Sequence, residues 1–305
     1  MKRQHFDAWA AAELDAVESA LSAWVPSDTP AGLGEAMRYG VLDGGKRVRP
    51  LLVLAAAQAV NGHREAALRA ACAVELIHAY SLVHDDMPCM DNDVLRRGKP
   101  TVHVKFGEAR AMLAGDAMQA LAFEVLTPCA DGTAALPDSR GVAPALQARL
   151  CALLARAAGH AGMAGGQAID LASIGKPLDE HALRDMHRRK TGALLKASVL
   201  MGAACGPVEQ AAWDALAAYG DALGLAFQVV DDILDVTQAS ETLGKTAGKD
   251  LDNNKPTYVS VLGLEAARAH ALELRAQAQA ALARSALADT SALALLADKV
   301  VERDN

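Results

Sequence analysis

Aromatic residues make up only 4% of this 305-residue chain, and runs of β-branched residues are scarce, which argues against a sandwich or barrel of short strands. Abundant Ala and Leu, within a hydrophobic content of 52%, favour helices throughout, with almost no strand. The five cysteines (Cys72, Cys89, Cys129, Cys151, Cys205) are odd in number and contain no C-x-x-C pair, so neither a disulfide framework nor a zinc site is expected. That usage suits a reducing cytosol. A net charge of −7 provides no basic footprint for nucleic acid, so an anionic ligand has to be held by local cations. The run Ala8 to Ala12 is too short for a secretory signal before Glu13 and Asp15 interrupt it. No stretch reaches the ~20 apolar residues needed to cross a bilayer. The expectation is a soluble, cytoplasmic protein without stable membrane insertion.

Apolar residues recur at spacings of three and four, predicting helices near 6–25, 31–41, 48–61, 65–87, 103–127, 143–173, 179–204, 208–238, 256–285 and 290–302. The interruptions fall at Val41 to Arg47, Asp91 to Thr101, Pro128 to Ala143 and Lys245 to Pro256. Three of those four carry lysine or arginine clusters. No internal repeat or composition shift marks a domain boundary. A chain of this length buries roughly three-quarters of its unfolded surface, so a large core is possible.

Against this background two acidic clusters stand out, Asp85-Asp86-Met87-Pro88-Cys89-Met90-Asp91 and Asp231-Asp232-Ile233-Leu234-Asp235. Each follows an apolar run, where like charges repel and carboxylates are hard to solvate. Mg²⁺ takes oxygen ligands and is typically held by one or two carboxylates together with substrate phosphates. Two such clusters facing each other would grip a diphosphate through bridging metal. In the second cluster Asp231 and Asp235 stack four residues apart, with Gln228 one turn earlier and Asp232 alongside. The apolar turns before it read as a buried helix rather than a solvated face. In the first, Asp85 and Asp91 are six apart and diverge on a continuous helix, but Pro88 ends or kinks that helix so that Asp91 can swing back. His78 lies two turns before Asp85 and by itself reads as a core histidine. His84 reads as a packing residue.

The cations sit in glycine-containing segments. Gly44-Gly45-Lys46-Arg47-Val48-Arg49-Pro50 places Lys46 and Arg49 three apart, without Walker A spacing, and a solvated loop is an equal alternative. Arg96-Arg97 follow the first cluster, and arginine's planar fork suits phosphate oxygens. Lys190-Thr191-Gly192 taken alone would be an exposed helix face. Lys245, Lys249 and Lys255 punctuate the loop after the second cluster, where a lid over a charged ligand competes with ordinary loop solubility.

Together these segments resemble the trans-isoprenyl diphosphate synthases, most closely the bacterial farnesyl diphosphate synthases. The resemblance also takes in Leu76 to Asp86, Gly165-Gly166-Gln167 and Phe227-Gln228. It implies an all-α fold, one polyprenyl synthetase domain over 1–305 with about ten or more helices around a deep central cavity, acting as a homodimer. It assigns Asp85, Asp91 and Asp231, helped by Asp86 and Asp235, to Mg²⁺, three ions per site with substrate bound. Arg96, Lys190 and Lys245, with Lys255, would hold the allylic diphosphate, dimethylallyl or geranyl. Lys46, Arg49, His78 and Arg97 would hold isopentenyl diphosphate, and Thr191 and Gln228 would lie along the allylic chain. Stabilisation of the departing diphosphate leaves an allylic cation that the isopentenyl double bond attacks.

For product length the resemblance points to Tyr80, five residues before Asp85, and to the extra Pro88-Cys89 as marks of enzymes that stop at fifteen carbons, farnesyl diphosphate. Helix geometry places Ser81 more directly beneath Asp85, so the floor assignment of Tyr80 rests on resemblance. The alternatives are a geranylgeranyl or other short-chain synthase and, from a different class, a non-catalytic partner subunit. A terpene cyclase fits less well, because the second cluster is all aspartate and cations for a second diphosphate are present.

Overall fold

The computed structural model describes residues 1–42, 44–128, 142–176, 178–237 and 257–303. The chain runs α1 (Arg3–Trp24), α2 (Leu33–Val41), α3 (Val48–Ala59), α4 (Arg64–Asp85), a hairpin of β1 (Leu95–Arg96) and β2 (Lys99–Pro100), α5 (Val102–Phe106) and α6 (Glu108–Leu126). It continues through α7 (Pro144–Ala158), α8 (Met163–Ala172), α9 (Glu180–His187), α10 (Ala193–Ala204) and α11 (Gln210–Thr237). The last elements are α12 (Tyr258–Leu262), α13 (Leu264–Arg284) and α14 (Ser291–Val301). The architecture is all-α, and the paired β segment is two residues long on each side.

Helix α4 organises the first part of the core. His63 caps it, accepting the Ala66 N–H at Nδ1 (3.2 Å), and Glu65 lies in its first turn, where the helix dipole favours a negative charge. Ala66, Ala70, Ala73, Leu76 and Ile77 are fully buried against α3, α6 and α1. Truncating Leu76 or Ile77 to Ala would cost about 2–5 kcal/mol. This helix corrects the expectation about apolar runs: Arg64–Asp85 is long and apolar enough to cross a bilayer, but 72% of its most apolar window is buried inside the protein. Polar residues such as Glu75 and His78 break the run in sequence while the average stays apolar. The other organising helix, α11, packs along α13 and α10, and its middle is buried nearly all round.

Three predicted helices are interrupted. Helices 103–127 and 256–285 each break at a glycine in the left-handed region, Gly107 (φ 86°) and Gly263 (φ 83°), giving α5/α6 and α12/α13. The stretch 143–173 divides into α7 and α8 around Gly159 to Gly162. Residues 179–204 stay helical but widen into a π turn over Arg188–Gly192. Such turns concentrate at functional sites.

Candidate active site

A cavity of about 620 Å³ lies between the loop before α3, the middle of α4, the β1–β2 hairpin and α11. Lys46, Arg49, His78, Arg96, Arg97 and Asp231 all line it. Sequence positions as far apart as Tyr39 and Arg303 therefore meet at one place. Asp85, Asp91 and Lys190 stand outside this lining.

The first cluster is shaped by the end of α4. The helix stops at Asp85, and the chain turns through Pro88 so that the Asp91 N–H donates to the Asp85 carbonyl (2.8 Å). The expected return of Asp91 is therefore present. Burial raises the Asp85 carboxyl to about 6, with Lys190 pulling it down and Asp91 pushing it up. Asp86 lines the cavity and is paired with Arg96. It is 2% exposed, and both its oxygens accept from Arg96, Nε at 2.8 and 3.0 Å and Nη2 at 2.5 Å. The reason is helical rotation: about 100° per residue turns Asp86 away from the face that carries Asp85 and towards the hairpin. Arg96 is correspondingly engaged by Asp86, with its side chain still 32% exposed.

The cations divide into structural and available groups. Arg47, at the N-terminus of α3 with φ 46°, is buried and bonds Glu18 (2.6 Å), Glu75 (2.6 Å) and the Val41 carbonyl (2.5 Å), tying α1, α2 and α4 together. Lys46 and Arg49 on either side of it face the cavity. Arg49 Nε is buried without a hydrogen-bond partner, and its guanidinium lies 5.9 Å from the Phe227 ring. Its pKa is lowered by burial first, against the pull of Glu75 and Asp231. An orphaned buried guanidinium N–H is suited to an incoming anion. Arg97, in the left-handed region at φ 52°, donates to the Gly44 carbonyl (2.8 Å) and lies against Gly45, where a Cβ would sit 2.6 Å from Nη2. Burial, then Arg49, Arg97, Arg96 and Arg47, holds His78 well below its ordinary pKa. It is neutral at pH 7, a hydrogen-bonding group among cations.

On the other side, Lys190 lies in the π turn and donates to buried Asp170 on α8 (2.6 Å). Gly166 lets α8 approach the π turn this closely, since a Cβ there would sit 2.1 Å from the backbone nitrogen of Lys190. Thr191 donates to Gln228 Oε1 (3.0 Å), and Gln228 Nε2 donates to Asp232 (2.8 Å). In the second cluster Asp231 accepts from Arg303 Nη2 (2.6 Å), and Asp235 is 5% exposed. Tyr80 is half-buried, its ring edge-on to His84 at 5.8 Å, and Ser81 donates to the His78 carbonyl (2.9 Å). His84 packs as expected, its Nε2 3.0 Å from the Met112 carbonyl. Lys245 and Lys255 lie outside the described residues.

Among the described residues no three His, Cys, Asp or Glu side chains could by themselves hold a metal ion. A hard cation held by one or two carboxylates and by diphosphate oxygens needs no such cage, and Asp85, Asp91 and Asp231 supply that donor class. The sequence reading missed Arg303. It reaches from the end of α14 to Asp231 and the Phe227 carbonyl (2.6 Å each), with its guanidinium 4.0 Å from the Phe227 ring. It follows one short helix at the far end of the chain, and no local spacing points to it. Asp170 was missed for the same reason.

The model of the polyprenyl synthetase family matches residues 30–291. The large subunit 1 of the heterodimeric geranylgeranyl pyrophosphate synthase of Arabidopsis thaliana is 46% identical over 95% of this chain and 77% of its own length. The geranylgeranyl pyrophosphate synthase of Capsicum annuum is also 46% identical, over 95% of this chain and 76% of its own. Among solved structures, an FPP/GFPP synthase from Zymomonas mobilis superposes with TM-score 0.83 at 40% identity, over 97% of this chain and 99% of that one. A Helicobacter pylori geranyltransferase complexed with magnesium and isoprenyl diphosphate gives 0.81 at 34%, over 96% and 95%. On the family model and on these relatives, this chain belongs to the polyprenyl synthetase family, the trans-isoprenyl diphosphate synthases.

Proposed function

We propose that the protein joins isopentenyl diphosphate to an allylic diphosphate, dimethylallyl first and geranyl next, and releases a short-chain prenyl diphosphate. The observation that carries this is one cavity with Lys46, Arg49, His78 and Arg97 on its wall and Asp231 at its edge, while Asp85 and Lys190 interact alongside. Bound Mg²⁺ supplies neutralisation of the departing diphosphate. Lys190 and Arg96 add positive charge on that side, and donors fixed in place stabilise developing charge without reorganising. Lys46, Arg49 and Arg97 orient the second diphosphate. The apolar helices around the cavity exclude water from the allylic cation. The proton lost at the end goes to the released diphosphate, so no protein base is required.

The two plant relatives named above support a twenty-carbon product, geranylgeranyl diphosphate, while the Zymomonas mobilis structure is that of an FPP/GFPP synthase. One feature of α4 supports a second reading, the fifteen-carbon product farnesyl diphosphate: Tyr80 stands half-buried five residues before Asp85, its ring edge-on to His84. Chromatography of products from labelled isopentenyl diphosphate with dimethylallyl and geranyl diphosphates separates the two. Should farnesyl diphosphate dominate, Tyr80→Ala is expected to extend products past fifteen carbons, and an unchanged profile would remove Tyr80 as the floor. A non-catalytic partner subunit would release no diphosphate from these substrates with Mg²⁺. We also propose a homodimer, supported by the apolar residues Met112 and Leu113 that α6 leaves exposed; light scattering tests it.

A further inference from the structure

Asp232 sits between two assigned metal ligands in sequence, yet it faces elsewhere. Its neighbour Asp231 is turned about 100° away on α11. Asp232 is 2% exposed, and both its oxygens are committed. Oδ1 accepts Gln228 Nε2 (2.8 Å) and Oδ2 accepts the backbone N–H of Tyr258 (2.8 Å), the first residue of α12. Gln228 Oε1 in turn accepts the Thr191 hydroxyl (3.0 Å). His187 closes the pocket, Nε2 4.0 Å from Oδ2 and its ring stacked on Tyr258 at 5.5 Å.

A carboxylate can only accept, whereas an amide can present either its oxygen or its nitrogen. Asp232 therefore sets which way Gln228 points: NH₂ towards the carboxylate, carbonyl towards Thr191, which must then donate. The same carboxylate fixes the first turn of α12 to α11. We propose that Asp232 is a positioning residue for prenyl transfer, a buried strut that sets the Thr191–Gln228 pair and joins it to α12, and that it contributes no metal ligand. This rests on reading Thr191 and Gln228 as the wall of the allylic chain.

The test compares Asp232→Asn with Asp231→Asn in the full chain. Asp232→Asn keeps size but offers one accepting atom where two donors converge, so Gln228 has to flip or lose its bond. Calorimetry of Mg²⁺ binding with inorganic pyrophosphate is expected to give a midpoint within about twofold of wild type for Asp232→Asn, against a shift of roughly tenfold or more for Asp231→Asn. Steady-state rates for Asp232→Asn are expected to fall roughly ten- to a hundredfold in kcat/KM for the allylic substrate, with KM for isopentenyl diphosphate little changed. Adding Thr191→Val to Asp232→Asn should cost less than it does alone, since the two act through one amide. A Mg²⁺ midpoint that moves as far as in Asp231→Asn makes Asp232 a ligand and overturns the proposal, as does full additivity with Thr191→Val. Gln228→Ala separates the two levels. If it leaves allylic KM and kcat unchanged, the wall reading falls and the proposal with it; if it impairs them while Asp232→Asn does not, only the strut falls. Should Asp232→Asn not fold, Gln228→Glu sets a second carboxylate against Asp232 and is expected to raise allylic KM at unchanged Mg²⁺ midpoint; an unaltered KM overturns the proposal.

Discussion

Asp85-Asp86 and Asp231-Asp232 are the same dipeptide placed after an apolar helical run, and in each the two carboxylates part company. The leading residue lies among other charged groups: Asp85 near Lys190 and Asp91, and Asp231 on the cavity wall beside Arg303. The following residue is pinned by partners of its own, Asp86 by Arg96 on the cavity wall and Asp232 by Gln228 and the Tyr258 amide. The anchors differ in kind. Asp86 is held by a charged, partly exposed arginine on a hairpin, whereas Asp232 accepts from the Gln228 amide and the Tyr258 backbone N–H inside the protein. Adjacent carboxylates on a helix cannot share a face, so the two groups of a doubled aspartate take different partners.

Removing the leading carboxylates should break the comparison most severely. Asp85→Asn and Asp231→Asn are each expected to lower turnover by roughly 10²–10³-fold at fixed Mg²⁺, measured as diphosphate release. A loss of less than tenfold at either would deny that position a part in holding charge.

Arg96→Ala comes next. It leaves Asp86 buried and unpaired, so a cost of about 2–3 kcal/mol is expected in urea unfolding, below the range for a fully buried pair because Arg96 keeps a third of its surface. The double variant Arg96→Ala/Asp86→Ala should recover part of that loss, and equal destabilisation by single and double variants would show that the pair is not coupled.

The smallest effect concerns pH and carries opposite signs in two places. Burial raises Asp85 from 3.8 to about 6, so between these values the folded protein holds more protons than the unfolded one. Stability from this group is present at low pH and is lost as pH rises through about 6. Burial first, then Lys190, lowers His187 from 6.5 to about 4, so its contribution is present above 6.5 and is lost as pH falls through about 4. Metal-free Asp85→Asn should therefore melt a few degrees higher than wild type at pH 7 and no higher near pH 4. Calorimetric melts across that range check it, and a gain that is equal at both pH values would remove Asp85 as its source.

Most of the helices were legible from the period of apolar residues, because burial of one face imposes that period directly. Their interruptions were not. Gly107 and Gly263 lie inside unbroken apolar patterns, and a glycine in such a pattern reads equally well as helix. The candidate site was legible as residue types: two acidic clusters, three cation-bearing segments, and a proline that had to bend the first cluster. Which partner each carboxylate of a doublet takes was not, since spacing alone does not say what packs on the neighbouring face. Arg303 and Asp170 carried no local signal at all, and they enter only because distant helices meet.

By itself the sequence determined an all-helical chain, the two acidic clusters and the cations to oppose them, because hydrophobic periodicity and local charge act over a turn or two of helix. Tertiary structure alone decided the pairing of Asp86 with Arg96, of Asp231 with Arg303, and of Asp232 with Gln228 and the Tyr258 amide. These partners lie 4 to 72 residues away in the chain, and direction in space, set by the packing of α4 and α11, chooses among them.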